Sequence, residues 1–153
     1  MSDDWYIEDF EPGQVHVTRG RTLTEVELIT FVNLGGIFEE VFLNIEYAAT
    51  KSLFGQRVIP ALLILTVAEG LYIQTGQTHN ARAYLGLDQL RFHAPTFVND
   101  TIHVRAEVAV ARLSSNPERG VLELVHEVVN QRDEVVLTYR SARMIASREH
   151  TAQ

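Results

Sequence analysis

The second half of the chain alternates apolar and polar residues, and this pattern limits the folds that it can adopt. In Thr101–Leu113 the even positions from 102 to 110 are all apolar, while most odd positions are polar. Such alternation is typical of a strand in a sheet with one buried face. The chain has three further candidate strands: Tyr84–Phe92, Val121–Val129 and Val135–Ile145. Polar turns at 114–120 and 130–133 join the last three of the four strands, which predicts an antiparallel meander.

One predicted helix is apolar on nearly every side. It begins at Pro60, a residue favoured in the first turn of a helix, and runs to about Gln74. A helix of this composition is expected to be buried, so we expect it at the centre of the domain. One apolar helix combined with a curled antiparallel sheet predicts an α+β fold in which the sheet wraps the helix.

Shorter elements precede this helix. Val15–Leu23 is a candidate strand. Thr24 and Glu27 have the spacing of a capping box, so a helix is predicted from Thr24 to the pair Gly35–Gly36, where glycine accepts the left-handed conformation. A second short helix is predicted over Ile45–Ser52.

The pattern along the chain predicts one domain. The 153 residues show no internal repeat or linker, and 46% of them are apolar, which is enough to build a core. We therefore expect a single domain over residues 1–153, with 1–14 as a polar lead-in and 147–153 as a frayed tail.

Composition and spacing exclude several classes of protein. The net charge of −7 argues against binding to nucleic acid, whose phosphates require clustered Lys and Arg. Because the chain has no cysteine, disulfides, a thiol nucleophile and thiolate-bound zinc are excluded. No apolar run is long enough for a membrane span, and no pair of histidines has the spacing of a metal site. We expect a cytoplasmic protein without metal or cofactor.

Three segments carry a resemblance to a known family. They are GRTLTEVELITFVNLGG, NIEYAATKSLFGQRVIPALL and LRFHAPTFVNDTIHV. In order and spacing they resemble the MaoC-like family of dehydratases and (R)-specific enoyl-CoA hydratases, over roughly residues 20 to 145. The resemblance implies a hot-dog fold, an acyl-thioester substrate and a pocket at the interface of two protomers.

The resemblance fails at the catalytic pair of the family. The family motif G-D-x-N-P-x-H supplies an aspartate and a histidine that activate water, and these positions correspond to Ile37 and Phe42 in this chain. Neither side chain can transfer a proton, which general acid–base catalysis requires. We expect Ile37 and Phe42 to contact the substrate, and in a non-catalytic subunit they would form an apolar wall of the acyl pocket.

Two glutamates lie between these positions. Glu39 or Glu40 would replace the missing pair if this loop folds over the pocket, and the alternative is an ordinary solvated acidic pair. Asn33 is a candidate for hydrogen bonding to the substrate, whereas Asn44 is expected to cap a helix. His93 is the one histidine close to a family motif, and a packed or surface role is favoured for it.

The start of the apolar helix is a candidate carbonyl-binding site. Where the family has His-Gly, this chain has Pro60–Ala61, and proline lacks an N–H. The backbone N–H groups of Ala61 and Leu62 remain at a helix N-terminus, where the dipole favours an oxyanion. The alternative is that these residues only begin the helix.

The favoured hypothesis is an acyl-thioester hydratase or dehydratase, of the enoyl-CoA and 3-hydroxyacyl-CoA type, with an atypical acid–base set. A second hypothesis is a non-catalytic hot-dog subunit, or an acyl-thioester-binding protein, that pairs with a catalytic partner. A third is a hot-dog thioesterase. The expected partners are an acyl-CoA or acyl-carrier thioester and at least one further protomer, in a homodimer, a higher homo-oligomer or a hetero-oligomer, because an unpaired sheet edge favours association.

Overall fold

The computed structural model describes residues 4–150. Its helices are α1 (Glu25–Gly35), α2 (Glu40–Leu43), α3 (Ile45–Thr50) and α4 (Ala61–Ile73). Its strands are β1 (Val15–Val17), β2 (Arg21–Thr22), β3 (Ala81–Phe92), β4 (Thr101–Leu113), β5 (Arg119–Asn130) and β6 (Val135–Ala146). Two 3-10 helices, Ile7–Asp9 and Arg148–His150, lie near the ends of the described chain.

The six strands form one antiparallel sheet. β4, β5 and β6 are neighbours in that order, which confirms the predicted meander. β3 pairs with β6 and forms one edge, while β1 and β2 both pair with β4 on the other side. β3 begins at Ala81, earlier than the predicted start at Tyr84, because its pairing with β6 continues to Ile145.

The hydrophobic core lies between α4 and the sheet. Leu63, Val67 and Leu71 form a buried row on α4, which packs against β4. Leu28 and Val32 of α1 belong to the same cluster. The prediction of an α+β fold, with one apolar helix covered by a sheet, is confirmed.

The expectation that α4 is enclosed on nearly every side is wrong. Leu62 and Ile73 are 57% and 46% exposed, and Thr66 is exposed as well. The reason is geometric, because one sheet covers only the side of a helix that faces it. In the single chain, α4 therefore keeps an open side that carries apolar residues.

Residues near both limits of the described range pack into the fold, although their polar composition predicted a lead-in and a frayed tail. Ile7 and Phe10, in the predicted lead-in, are buried in the core. Ser147 is buried too, and its hydroxyl donates to the Glu8 carboxylate at 2.5 Å. The Arg148 backbone N–H donates to the same carboxylate at 3.1 Å, so 147–148 are anchored instead of frayed. The last residues of the predicted tail, 151–153, lie outside the described residues.

The candidate strand Val15–Leu23 is interrupted. Its first part is β1 and its last part is β2, both paired with β4. Between them, the Thr18 hydroxyl accepts from the Val104 N–H at 2.9 Å, so a side chain replaces a backbone acceptor of the ladder. One continuous strand was therefore a wrong prediction, because at this position the Thr18 hydroxyl, and not a backbone carbonyl, accepts the hydrogen bond from β4.

The helix termini agree with the predicted capping. The Thr24 N–H donates to the Glu27 carboxylate at 2.9 Å, and Gly36 is left-handed with φ of 65°. The hydrogen bond from the Thr24 hydroxyl is the main cause that lowers the pKa of Glu27 to about 2. Asn44 caps α3, since its Oδ1 accepts from the Tyr47 N–H at 3.0 Å. The predicted loop around Glu39 and Glu40 instead contains the short helix α2.

Candidate functional site

A cavity of about 490 Å³ lies between the α2 segment, the start of α4 and the loop that joins β3 to β4. Its walls are mostly apolar, with a few polar groups, as is usual for a small-molecule site. The lining residues are Glu39, Val41, Phe42, Phe54, Val58, Ile59, Ala61, Ile64, Phe92, His93, Ala94, Pro95 and Thr96.

Backbone hydrogen bonds hold two walls of this cavity together. The Ile59 N–H donates to the Thr96 carbonyl at 2.7 Å, and Val58 forms a bridge with Phe97. The segment before α4 is therefore paired with the β3–β4 loop. Because Pro60 follows directly, this pairing brings the first turn of α4 into the cavity wall.

The N-terminus of α4 presents unpaired donors at the cavity. The first intrahelical bonds run from the Leu63 and Ile64 N–H groups to the Pro60 carbonyl. The N–H groups of Ala61 and Leu62 make no hydrogen bond within residues 4–150, as expected for the first turn of a helix. Ala61 lines the cavity, so its N–H is available to a carbonyl oxygen there.

The cavity brings together three of the residues that the sequence suggested as site residues. Glu39, Phe42 and Ala61 all belong to its lining. Glu39 is exposed, whereas Phe42 is partly buried and packs against the core. One carboxylate and one helix N-terminus therefore share an apolar cavity.

The other four candidates lie outside the lining. Glu40 accepts a hydrogen bond of 2.6 Å from the Asn44 side chain on the surface. Ile37 is partly buried and packs against the core. Asn33 is exposed on α1, and Leu62 lies on the exposed side of α4. Within this chain, Glu39 is thus better placed than Glu40 to meet a ligand in the cavity.

Two further polar residues belong to the lining: Thr96, which sequence reasoning missed, and His93, for which it favoured a packed or surface role. His93 is exposed, and its Nε2 lies 2.8 Å from the Thr138 hydroxyl on β6. Thr96 is 1% exposed, and its hydroxyl has no hydrogen-bond partner among the described residues. The available signal was their position on either side of Ala94–Pro95, inside a family-like segment.

A second polar cluster joins α4 to the sheet. Glu69 forms an ion pair with Arg143 and accepts a hydrogen bond of 2.7 Å from the Tyr139 hydroxyl. The His126 ring stacks on Tyr139 at 4.3 Å between centroids, and its Nε2 lies 2.9 Å from the Ser141 hydroxyl. Burial, and then the charge of Arg143, lower the pKa of His126 to about 3. This cluster ties the helix to β5 and β6 and does not line the cavity.

Residues 4–150 contain neither a metal-binding cluster nor a membrane-spanning helix. No three His, Cys, Asp or Glu side chains come together there as a metal site would require. No helix in that range has the length and apolarity needed to cross a lipid bilayer.

Comparison with known sequences identifies the family. The profile of the family described as "MaoC like domain" matches residues 9–130. A curated relative, beta-methylmalyl-CoA dehydratase of Chloroflexus aurantiacus, is 33% identical over 150 residues, which cover 96% of this chain and 42% of that protein. The chain belongs to the MaoC-like domain family. It spans less than half the length of the curated relatives that it matches.

Comparison with solved structures confirms the hot-dog fold. A protein described as a monoamine oxidase regulatory protein from Archaeoglobus fulgius superimposes with a TM-score of 0.85 and 31% identity, covering 93% of this chain and 94% of that one. Rv0216 of Mycobacterium tuberculosis, described as a double hot-dog fold, superimposes with a TM-score of 0.83 and 23% identity, covering 97% of this chain and 46% of that one. The present chain therefore matches about half of that double fold.

Proposed function

We propose that this protein is a hydratase or dehydratase that acts on acyl thioesters, adding water to an enoyl thioester or removing it from a 3-hydroxyacyl thioester. The observation that carries the proposal is the shared cavity, since the N-terminus of α4 and the side chain of Glu39 both contribute to its mostly apolar lining. The dehydratase name of the Chloroflexus relative supports the reaction class. Such a substrate and a chain without cysteine also fit the cytoplasmic location expected from the sequence.

The cavity suggests how the reaction would be divided among its residues. The Ala61 N–H would bind the thioester oxygen and stabilise the negative charge that develops there. Glu39 would exchange a proton with water at the β-carbon, since a carboxylate is the usual partner for this step. Phe42 and Ile64 would hold the acyl chain. The carrier, coenzyme A or an acyl carrier protein, is left open by these contacts.

The experiment is an activity screen with paired variants. The purified protein is incubated with trans-2-enoyl-CoA and (3R)-3-hydroxyacyl-CoA panels of different chain length, and the enoyl absorbance and product mass are followed. We expect turnover by the wild type, a fall in kcat of about 100-fold or more for Glu39→Gln, and little change for Glu40→Gln. A wild type that is inactive on every thioester would contradict the proposal. A thiol-trapping dye separates hydrolysis by a thioesterase from hydration.

A non-catalytic subunit is a second candidate, and the residues at the family's catalytic positions favour it. Ile37 and Phe42 cannot transfer protons, so a catalytic hot-dog partner would have to supply the acid–base pair. Native purification from the source cell tests this candidate. A stable hetero-oligomer whose activity survives Glu39→Gln would support it, whereas a homo-oligomer that is active by itself would exclude it.

We also propose that the protein works as at least a dimer that associates through β3. This strand is the edge of the sheet, and it exposes Tyr84, Leu85 and Leu87. A long edge strand with exposed apolar side chains is a template for pairing with another chain. Light scattering is expected to give at least twice the monomer mass, and the mass of a 17.3 kDa monomer would refute the proposal.

A further inference from the structure

The β3–β4 loop places a second proton-carrying group in the cavity. The His93 ring is held from β6, because its Nε2 lies 2.8 Å from the Thr138 hydroxyl. Its backbone is held as well, since the His93 N–H donates to the Val136 carbonyl at 2.9 Å. The other ring nitrogen, Nδ1, makes no hydrogen bond to any residue that the structure describes. One nitrogen therefore orients the imidazole and the other is available to a ligand.

Thr96 places a second polar group on this wall, a buried hydroxyl without a hydrogen-bond partner among the described residues. Its side chain is 1% exposed and lines the cavity, but its hydroxyl has no partner within residues 4–150. A buried hydroxyl without a hydrogen bond costs free energy, and each such group calls for an explanation. The Thr96 carbonyl is already bonded to Ile59, so the residue cannot move away from the wall easily. The hydroxyl oxygen is itself buried, so a water molecule or substrate oxygen in the cavity would satisfy it once a neighbouring side chain of the wall moved.

The backbone before His93 is shaped in an unusual way. The pairing of β3 with β6 shifts register between Asp88 and Arg91, and Gln89 is left-handed with φ of 52°. A bulge of this kind changes the direction in which the following side chains point. The left-handed conformation is uncommon for a residue other than glycine and costs free energy. The bulge directly precedes Phe92 and His93, which both line the cavity.

We propose that His93 is a catalytic residue of the hydration and dehydration described above, and that Thr96 holds the reacting water molecule. In hydration, Glu39 takes a proton from water as the water oxygen bonds to the β-carbon. The electron pair of the double bond moves to the α-carbon, which takes a proton from the His93 imidazolium. Solvent then returns a proton from Glu39 to His93, and dehydration is the reverse. This inference rests on the proposed function.

The test compares variants that separate anchoring from proton transfer. His93→Gln keeps an amide that can bond to Thr138, whereas His93→Ala removes every polar atom of the side chain. If His93 transfers the proton, both variants lose about 100-fold or more in kcat, and added imidazole restores part of the activity of His93→Ala only. His103→Ala, on β4 and outside the cavity lining, is the matched control and is expected to retain wild-type kcat.

Thr96→Val adds a second readout, because it keeps the shape of the side chain and removes its hydroxyl. We expect a fall in kcat/KM of about tenfold or more with no loss of thermal stability, since the hydroxyl has no partner in the fold. If Thr96 had only a structural role, Thr96→Val would instead lose thermal stability and keep the kcat/KM of the wild type.

The outcomes distinguish this inference from the proposed function. An inactive wild type overturns both. An active wild type with an active His93→Gln variant overturns only the role of His93, because anchoring by an amide would then be sufficient. A folded His93→Ala variant that imidazole does not rescue also overturns it. Circular dichroism and elution volume of each variant establish that it is folded and assembled as the wild type is.

Discussion

His126 is expected to make this protein sensitive to mild acid. Its side chain is fully buried, and burial, followed by the charge of Arg143, lowers its pKa to about 3. In an unfolded chain the histidine pKa is about 6.5. Between these two values the unfolded chain binds a proton that the folded chain does not bind. By linkage, the free energy of unfolding falls as the pH falls through this window.

The size of the effect follows from the two pKa values. One bound proton changes the free energy of unfolding by about 1.4 kcal/mol per pH unit, so acidification from about pH 6.5 to 4.5 removes roughly 2–3 kcal/mol through His126 alone. Domains of this size are stable by about 5–15 kcal/mol, so the loss is easily measured. The carboxylates whose pKa is lowered in the fold, Glu8, Glu27 and Glu134, lose their contribution mainly below about pH 4.5. The pKa of Glu27, for example, is lowered to about 2, so its contribution is lost only in stronger acid.

The assay is urea unfolding of the wild type and of His126→Gln at one protein concentration, across this pH range. Glutamine keeps a polar group near the Ser141 hydroxyl but does not titrate. We expect the variant to be less stable at neutral pH, because the stacking on Tyr139 is lost. We expect the difference between the two free energies of unfolding to narrow by roughly 2–3 kcal/mol at the acid end of the range, because only the wild type loses stability through His126.

Two comparisons isolate the effect of His126. Burial also lowers the pKa of His16, which contributes with the same sign but is present in both proteins and cancels in their difference. His103→Gln, on β4 and away from the buried cluster, controls for the replacement of a histidine by glutamine elsewhere in the sheet. Parallel stability curves for the wild type and His126→Gln would refute the reasoning.

Further predictions concern packing and the buried ion pair. Gly120→Ala should destabilise the protein by about 1–3 kcal/mol or more, because the new methyl group would collide with Ile7 and lie 2.6 Å from a carbonyl oxygen of β4. Gly35→Ala meets only ordinary contacts of 3.8 Å and is the matched control; equal urea midpoints for the two variants would contradict this prediction. Arg143→Met should cost about 3–5 kcal/mol, since it leaves the Glu69 carboxylate without its cation. Glu69→Gln should cost a similar amount, because it leaves the more deeply buried Arg143 guanidinium without its anion, although an amide still accepts from the Tyr139 hydroxyl. Wild-type stability of either variant in urea unfolding would argue against a stabilising pair.

The elements that could be predicted are those whose signal is local. Alternation with a period of two marks β4 to β6, because only one face of the sheet is buried. The capping box at Thr24 and the glycine at 36 mark the ends of α1, since both act within a few residues. The interruption between β1 and β2 was missed, because the bond from Val104 to the Thr18 hydroxyl joins positions far apart in sequence.

The candidate site shows the same division. Glu39, Phe42 and Ala61 follow from alignment with a family motif, and they meet in one cavity. The motif does not separate Glu39 from Glu40, which are adjacent in sequence but enter different surroundings once α2 forms. His93 and Thr96 reach the same cavity only through the pairing of the β3–β4 loop with the segment before α4.

By itself, the sequence determined the fold class, the meander of the last three strands, the apolar helix and the family. Periodicity and capping depend on neighbours along the chain, so they can be recognised without coordinates. Only the tertiary structure decided which side of α4 is covered, that Ile7 and Phe10 belong to the core, and which polar side chains share the cavity. These features depend on contacts between residues that are distant in sequence, and such contacts are decided by how the layers pack.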